Sequence, residues 1–376
     1  MDKGTEASTM ANERKTVAVL YGGKSTEHEI SLLTAFSVIN AINLKRYRVL
    51  PVYINQDGRW IPGSEITGKL ESKDQLLLHE NVKAERAVEH WIAPSSPLDA
   101  TSARPDIVFP LLHGSNGEDG TVQGLMELLN LAYVGSGVAG SSVCMDKVLM
   151  KDVLKTHKIQ GPDYLSVSRF EWESDAPSRI LAIKRSIGYP CFVKPANGGS
   201  SVGISKCVSE TELSAAITEA LLYDSKVIVE EHINGREIEI GVLGNHELSV
   251  SVPGEIITKN AAFYDYQSKY HEGNSTLVIP VHLSEKVLAE LEETAKRAFA
   301  ALNLSGLARV DVFLREKDQS IVVNELNTMP GFTQFSMFPL LWQHTGLSYP
   351  QLIETLIDLG LQRHDDKQKI HYRIQC

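Results

Sequence analysis

Thr16 to Tyr21 is a compact apolar run that stops at Gly22-Gly23, and from Ile30 onward Leu33, Phe36, Val38, Ile39 and Ile42 recur at helical spacing. Arg48 to Ile54 returns to a strand pattern, so the chain opens as a β-α-β unit, the start of a mainly parallel sheet with its site at the carboxyl ends of the strands. Asp106 to Leu112 is a further buried strand. It ends at His113-Gly114 and leads through Gly117-Glu118-Asp119-Gly120 into a helix over Thr121 to Asn130. A second block follows: a helix over Lys147 to His157, a strand over Pro190 to Lys194, a Gly/Ser loop, a helix over Glu210 to Tyr223, and a strand over Val227 to Glu230. The third begins with the alternating strand Glu237 to Val242 and passes through a Tyr-, Lys- and Gly-rich loop at 263–276. It then enters a helix with Ser284 as N-cap and a stripe through Leu288, Leu291, Ala295, Ala298, Phe299 and Leu302. The pattern divides the chain into a mobile tail (1–14), an α/β domain (15–145), a central domain (146–234) and a C-terminal domain (235–376).

The most informative stretch comes last. Ala308 to Leu314 and Ile321 to Leu326, joined by Arg315 to Ser320, read as an antiparallel hairpin, and strand side chains alternate between faces. Arg309 and Asp311 share one face, as do Glu325 and Asn327. If the two faces coincide, two carboxylates, an amide oxygen and a guanidinium meet, a donor set that suits Mg²⁺ together with substrate phosphates. Alternating charges alone would describe a solvated face. Asn327-Thr328-Met329-Pro330-Gly331 argues for a site, because a strand leaving into a Pro-Gly turn brings backbone N–H groups beside the carboxylates.

Two segments compete for a phosphate. Gly22-Gly23-Lys24-Ser25 follows a strand, but a P-loop needs glycine at position 18, where the chain has Ala18. Its helix N-terminus remains suited to an anionic group such as a carboxylate. Lys194-Pro195-Ala196-Asn197-Gly198-Gly199-Ser200-Ser201-Val202-Gly203 is the better candidate. Lys194 leaves a strand as a fixed positive charge, the glycines let backbone N–H groups close over a phosphate, and a strand resumes at Val202-Gly203.

Composition narrows the classes. A chain of 376 residues, 43% hydrophobic and 22% charged, is that of an ordinary globular protein, and a net charge of −10 argues against a general nucleic-acid binder. The cysteines (Cys144, Cys191, Cys207, Cys376) lack Cys-x-x-Cys spacing and read as reduced, buried thiols of a cytoplasmic protein. The polar start carries neither a secretory signal nor a membrane anchor.

With these pieces assembled, the chain resembles the D-alanine:D-alanine ligases of the ATP-grasp superfamily. The matching motifs are residues 21–31, 112–120, 145–147, 194–203, 264–270, 309–311 and 325–331, in the family's order. The resemblance implies an α/β, three-domain ATP-grasp fold, with an N-terminal parallel α/β domain followed by two α+β domains that clasp ATP. It implies that Lys147 and Lys194 contact the nucleotide phosphates, with Ser201 and Lys269 also binding ATP. Glu230, Glu231 and Ile233 belong to the adenine-side hinge, and Glu237 to the ribose. Asp311, Glu325 and Asn327 match ligands of two Mg²⁺ ions, with Glu325 shared; the family leaves room for Mn²⁺ and for K⁺. Glu27 matches the residue that binds the first substrate's ammonium, in a hydrogen-bonded set with Ser200 and Tyr270. His113 lies near that substrate, Arg309 and the Gly331 N–H face an oxyanion, and Ser336 meets the second substrate's carboxylate. Unaided, His113 reads equally as a satisfied strand-end histidine, and Glu27 more simply as a helix N-terminal charge.

The implied reaction joins two D-alanine molecules through a D-alanyl phosphate, for peptidoglycan synthesis and hence cell shape. The implied protein is a cytoplasmic homodimer without membrane or nucleic-acid partners. The loop at 263–276 resembles the family's lid, and its Lys269-Tyr270 favours an amine as the second nucleophile. Ligases that take D-lactate or D-serine second, a non-catalytic nucleotide-binding regulator, and a P-loop kinase dependent on Lys24 are the alternative readings.

Overall fold

The computed structural model describes residues 14–79, 104–258 and 275–371. Lys269 and Tyr270, with the rest of the aromatic loop up to residue 274, lie outside the described residues, as do residues 1–13 and Cys376.

The first sheet holds β1 (Lys15–Gly22), β2 (Tyr47–Ile54), β3 (Trp60–Pro62), β4 (Ile107–Pro110) and β5 (Ala132–Tyr133), in the order β3-β2-β1-β4-β5. All neighbours are parallel except the edge strand β3. β1 is buried from Thr16 to Gly22, as a central strand covered on both faces must be. Helices α1 (His28–Ala41) and α2 (Thr121–Leu128) follow β1 and β4, so the turns after both strands open at the carboxyl edge. α3 (Val138–Met145) and α4 (Lys147–Thr156) lead to the second sheet. The Asp146 side chain caps α4 by accepting from the N–H groups of Val148 (3.0 Å) and Leu149 (3.1 Å).

The second sheet, ordered β6-β9-β7-β8, is antiparallel: β6 (Tyr164–Ser168), β7 (Cys191–Pro195), β8 (Ser205–Cys207) and β9 (Lys226–Glu231), with α5 (Arg169–Ser186) and α6 (Glu210–Ala220). α5 escaped the sequence reading because Pro177 and a non-helical Asp175 break its periodicity, although its Ser168/Glu171 capping box is present. The strand after the Gly/Ser loop resumes at Ser205 rather than Val202. Ser200, Ser201 and Gly203 all take positive φ there, which extends the turn.

The third sheet runs β13-β12-β10-β14-β15, with β11 also paired to β10: β10 (Gly235–Gly244), β11 (Leu248–Val250), β12 (Gly254–Thr258), β13 (Ser275–Val278), β14 (Gly306–Arg315) and β15 (Ile321–Asn327). Ser275 and Thr276, expected in the loop, belong to β13. α7 (Glu285–Ala301), capped by Ser284, covers one face with Leu291, Ala295, Ala298 and Phe299. In β14 burial alternates, so Val310, Val312 and Leu314 enter the core while Arg309, Asp311, Phe313 and Arg315 face the other way. α8 (Met337–His344) and α9 (Tyr349–Gln368) carry the chain back to the first sheet, where Leu352, Ile353, Leu356 and Ile357 join its core. Among the described residues, no helix is long and apolar enough to cross a membrane.

Gly22 ends β1 at φ +90, and a Cβ added there would lie 2.2 Å from the Ile54 carbonyl oxygen. Its N–H donates to Ser31 Oγ (2.8 Å), which in turn donates to Leu111 O (2.5 Å), so this turn registers α1 against β4. Gly22→Ala should combine left-handed strain with overpacking and cost about 2–4 kcal/mol in urea unfolding. An unchanged unfolding midpoint would contradict the close approach.

Candidate functional site

Between the second and third sheets lies a cleft. Its larger chamber, about 200 Å³, is lined by Lys194, Ser201, Glu230, Glu231, Ile233, Glu237, Glu239, Arg309, Asp311 and Glu325 among others. A smaller chamber, about 90 Å³, shares Ser201, Arg309 and Glu325 with it and adds Glu118, Lys147, Ser200 and Asn327. Lys24 is exposed and lines neither, which leaves the P-loop reading without support.

The floor is the hairpin. β14 and β15 pair with Arg309 opposite Asn327 and Asp311 opposite Glu325, so the two polar faces coincide as the alternation required. Arg309 Nε and Nη2 donate to the two Asp311 oxygens, both at 2.7 Å, and Nε lies 3.0 Å from Glu239 Oε2. The Asn327 amide donates to Asp311 at 3.0 Å. Burial works against the Arg309 charge, but Asp311 and Glu239 outweigh it and hold the guanidinium well above its ordinary pKa. Glu239 was not singled out in the sequence, although it sits opposite Asp311 in the β10 register and two residues after Glu237, where alternation could have found it.

Behind the floor is a buried charge group. The Glu230 carboxylate lies 3.1 Å from Lys151 Nζ and 2.7 Å from Lys194 Nζ. Burial alone would raise its pKa, yet the two ammoniums hold it down at about 2. Lys194 is shifted the other way: burial opposes its charge, but Glu230 and Glu325 lift its pKa above the ordinary value. The strand register slips by one residue at Asp311/Val312, and this bulge inserts Asn324. Its side chain accepts from Lys194 (3.3 Å) and its carbonyl from Lys151 (2.7 Å). Sequence reasoning missed both partners. Lys151 is one helical turn beyond Lys147 and could have been inferred, but the bulge has no sequence signature.

The Gly/Ser loop covers the smaller chamber. Its base is tied to α4, since Lys147 N donates to Ala196 O at 3.0 Å and Lys147 Nζ to Gly198 O at 2.7 Å. At its tip the Ser200 hydroxyl donates to Glu27. Glu27 stands at the N-cap of α1 but makes no capping bond. Cβ atoms added at Gly114 and Gly199 would each fall 2.6 Å from its Oε2. The carboxylate is thus wedged between two glycines, one in the turn after β4 and one in the Gly/Ser loop, which the helix-terminus reading did not anticipate.

His113 is buried at the end of β4 with Nε2 3.1 Å from Thr34 Oγ1. Burial lowers its pKa more than Glu27 raises it, so it is a neutral imidazole. Gly331 and Ser336 come together in the next turn: a Cβ at Gly331 would lie 3.3 Å from Ser336 Oγ, to which Thr333 N donates at 3.1 Å. They line neither chamber but reach α1 through Gln334 N, which donates to Ser37 Oγ at 3.1 Å.

Among the described residues lining the two chambers, the carboxylates of Glu230, Glu231, Glu237, Glu239, Asp311 and Glu325 outnumber the cations Lys147, Lys194 and Arg309. Among the described residues no three His, Cys, Asp or Glu side chains gather to hold an ion by themselves. Two carboxylates and an amide oxygen that leave positions for phosphate oxygens fit Mg²⁺, which is bound in that way rather than in an all-protein cage.

Comparison with known proteins identifies the family of the chain. Models described as D-ala D-ala ligase N-terminus and D-ala D-ala ligase C-terminus match residues 16–136 and 153–358. The chain is 51% identical over 361 residues to a D-alanine–D-alanine ligase of Geobacillus thermodenitrificans, covering 96% of this chain and 99% of that protein. It is 49% identical over 360 residues to one from Bacillus cytotoxicus, covering 95% and 99%. Among solved structures it resembles the D-alanine-D-alanine ligase from Coxiella burnetii (TM-score 0.76, 36% identity, 95% and 97% covered). The VanG D-Ala:D-Ser ligase from Enterococcus faecalis is similarly near (TM-score 0.76, 35% identity, 93% and 100% covered).

Glu118 was not given a role in the sequence, although it sits within the Gly117-Glu118-Asp119-Gly120 turn. Its carboxylate accepts from Gly114 N at 2.7 Å. Burial, then the nearby Glu27, pushes its pKa up to about 8. The unfolded chain loses this proton in the ordinary carboxylate range while the folded chain keeps it to about pH 8, so folding stability must fall as pH rises through that window. The slope is at most about 1.4 kcal/mol per pH unit. Glu118→Gln should flatten the decline of Tm between pH 5 and 8 relative to the parent. Parallel Tm curves would contradict the raised pKa.

Proposed function

Because the chain belongs to the D-alanine–D-alanine ligase family, whose members are ATP-dependent ligases, we propose that it joins two D-alanine molecules into D-alanyl-D-alanine for peptidoglycan synthesis, releasing ADP and phosphate. The observation that carries this reading is the meeting of Arg309, Asp311, Glu325 and Asn327 at the floor of a cleft that also admits Lys147, Lys194 and the Glu27-tethered loop.

In the proposed course, the larger chamber takes the nucleotide, with its base toward Glu230, Glu231 and Ile233, its ribose toward Glu237, and its phosphates toward Ser201, Lys194 and Lys147. Lys147 Nζ would exchange the Gly198 carbonyl of the loop for a phosphate oxygen. Asp311, Glu325 and Asn327 would hold Mg²⁺, which supplies positive charge to the phosphates when bound. Glu27 takes the ammonium of the first D-alanine and so turns its carboxylate toward the γ-phosphorus. A carboxylate oxygen forms the new bond, and the bond to ADP breaks. The free amine of the second D-alanine then attacks the acyl carbon of the D-alanyl phosphate, phosphate leaves, and a proton is lost from nitrogen. Arg309, whose charge is fixed by Asp311 and Glu239, and the Gly331 N–H face the oxyanion of that step. Ser336 takes the second carboxylate. Tyr270 and Lys269 belong to the same assignment by resemblance. We further propose a cytoplasmic homodimer that accepts Mn²⁺ in place of Mg²⁺ and responds to K⁺.

The second substrate is the open point of comparison, since the D-Ala:D-Ser ligase is as near in fold as the Coxiella enzyme. Identity near one half to D-alanine–D-alanine ligases over nearly the whole chain favours D-alanine. Purified protein with Mg-ATP should release ADP with D-alanine alone and form the dipeptide, but not with L-alanine. ADP release only when D-serine or D-lactate is added would transfer the specificity. Glu325→Gln should keep its Tm and lose roughly 10²-fold or more in turnover, as for removal of one oriented charge-stabilising group. Near-normal ADP release by that variant would sink the metal assignment.

A further inference from the structure

We propose that Lys151 is a positioning residue for ATP: by sharing the Glu230 carboxylate with Lys194, it leaves the Lys194 ammonium free to offer its charge to the nucleotide phosphates. The inference rests on the reading above that Lys194 meets those phosphates.

Lys151 does not line the cleft. It lies behind it, its side chain 2% exposed, bordering a separate cavity between α4 and β6. Among the described residues its ammonium meets Glu230 Oε1 at 3.1 Å and the Asn324 carbonyl at 2.7 Å. Lys194, on the cleft side, takes Glu230 Oε2 at 2.7 Å and the Asn324 side chain at 3.3 Å. One carboxylate and one bulged asparagine are thus divided between two lysines, each residue giving one oxygen to each lysine. The group carries a net positive charge, and the only member pointing it into the cleft is Lys194.

Buried ion pairs close on themselves when nothing competes for either partner. Without Lys151, the whole Glu230 carboxylate would turn to Lys194 and the group would become neutral. A phosphate would then have to compete with a fully paired carboxylate. Lys151 also depends on the arrangement, since burial draws its ammonium below its ordinary pKa and Glu230 opposes that. The two lysines have unequal jobs: one balances charge, the other meets the ligand.

The test measures Mg-ATP binding by calorimetry beside steady-state turnover. Lys151→Met should raise the Kd and KM for ATP about tenfold or more, one such factor corresponding to about 1.4 kcal/mol. The KM for D-alanine should not move, and kcat should stay within a few-fold. Lys151→Arg, which keeps a cation beside the Glu230 carboxylate, should hold ATP affinity near the parent's, because that carboxylate stays shared. Should Lys151→Met fail to fold, Lys151→Gln keeps a donor for the Asn324 carbonyl while dropping the charge, and should show the same loss. Parent-like ATP binding by a folded Lys151→Met or Lys151→Gln variant overturns the inference. So does a folded Lys151→Arg variant that binds ATP no better than Lys151→Met, the outcome expected of a purely packing role. A parent that binds Mg-ATP but makes no dipeptide from D-alanine counts against the proposed function and leaves this comparison intact.

Discussion

Side chains on a strand must alternate, and the cleft is a consequence of that alternation carried across three strands in register. β10, β14 and β15 set Glu239, Asp311 and Glu325 side by side, with Arg309 and Asn327 as the next pair along. The opposite face of the same strands is the Val310, Val312, Leu314 and Val323 layer under α7. A one-residue slip would exchange these faces, burying carboxylates in the core and exposing its aliphatic side chains. The apolar core therefore enforces the polar site: the strands cannot satisfy one without presenting the other.

Within this frame the charges are arranged in depth. Nearest the larger chamber are groups whose charge is locked by neighbours, Arg309 by two carboxylates and Lys194 by Glu230. Away from it, toward the first sheet, His113 and Glu118 are kept uncharged near neutral pH by burial. The side of the cleft assigned to polyphosphate is thus ionic, while on the side assigned to the amino acid Glu27 stands beside the uncharged His113 and Glu118. Away from bulk water, a carboxylate attracts an ammonium more strongly than it would in solution.

The sequence made the periodic elements legible and left the aperiodic ones dark. The hairpin, the first β-α-β unit and the Ser284-capped helix depend on spacing alone, and they stand where the spacing put them. Asn324 was invisible because a bulge breaks the alternation by which it would have been judged, turning a residue expected on the far face toward Lys194. The kinked helix from Arg169 was hidden by its own Pro177, and the length of the turn through Gly203 by two serines in conformations that side chains rarely adopt. Glu27 shows a further limit: its helix-terminal position was legible, but the partner that defines it lies 173 residues away. Long-range contacts of that kind entered the reading only through resemblance.

The Ser200–Glu27 bond also gives the loop a second allegiance. The same short turn covers the chamber assigned to phosphates and touches the carboxylate assigned to the amino acid, so neither compartment has a wall entirely its own. Anything that shifts the turn from one side changes the shape seen from the other, and thermodynamic linkage requires the influence to be mutual. If the compartments take the substrates proposed above, the turn between them would carry the occupancy of each room to the other.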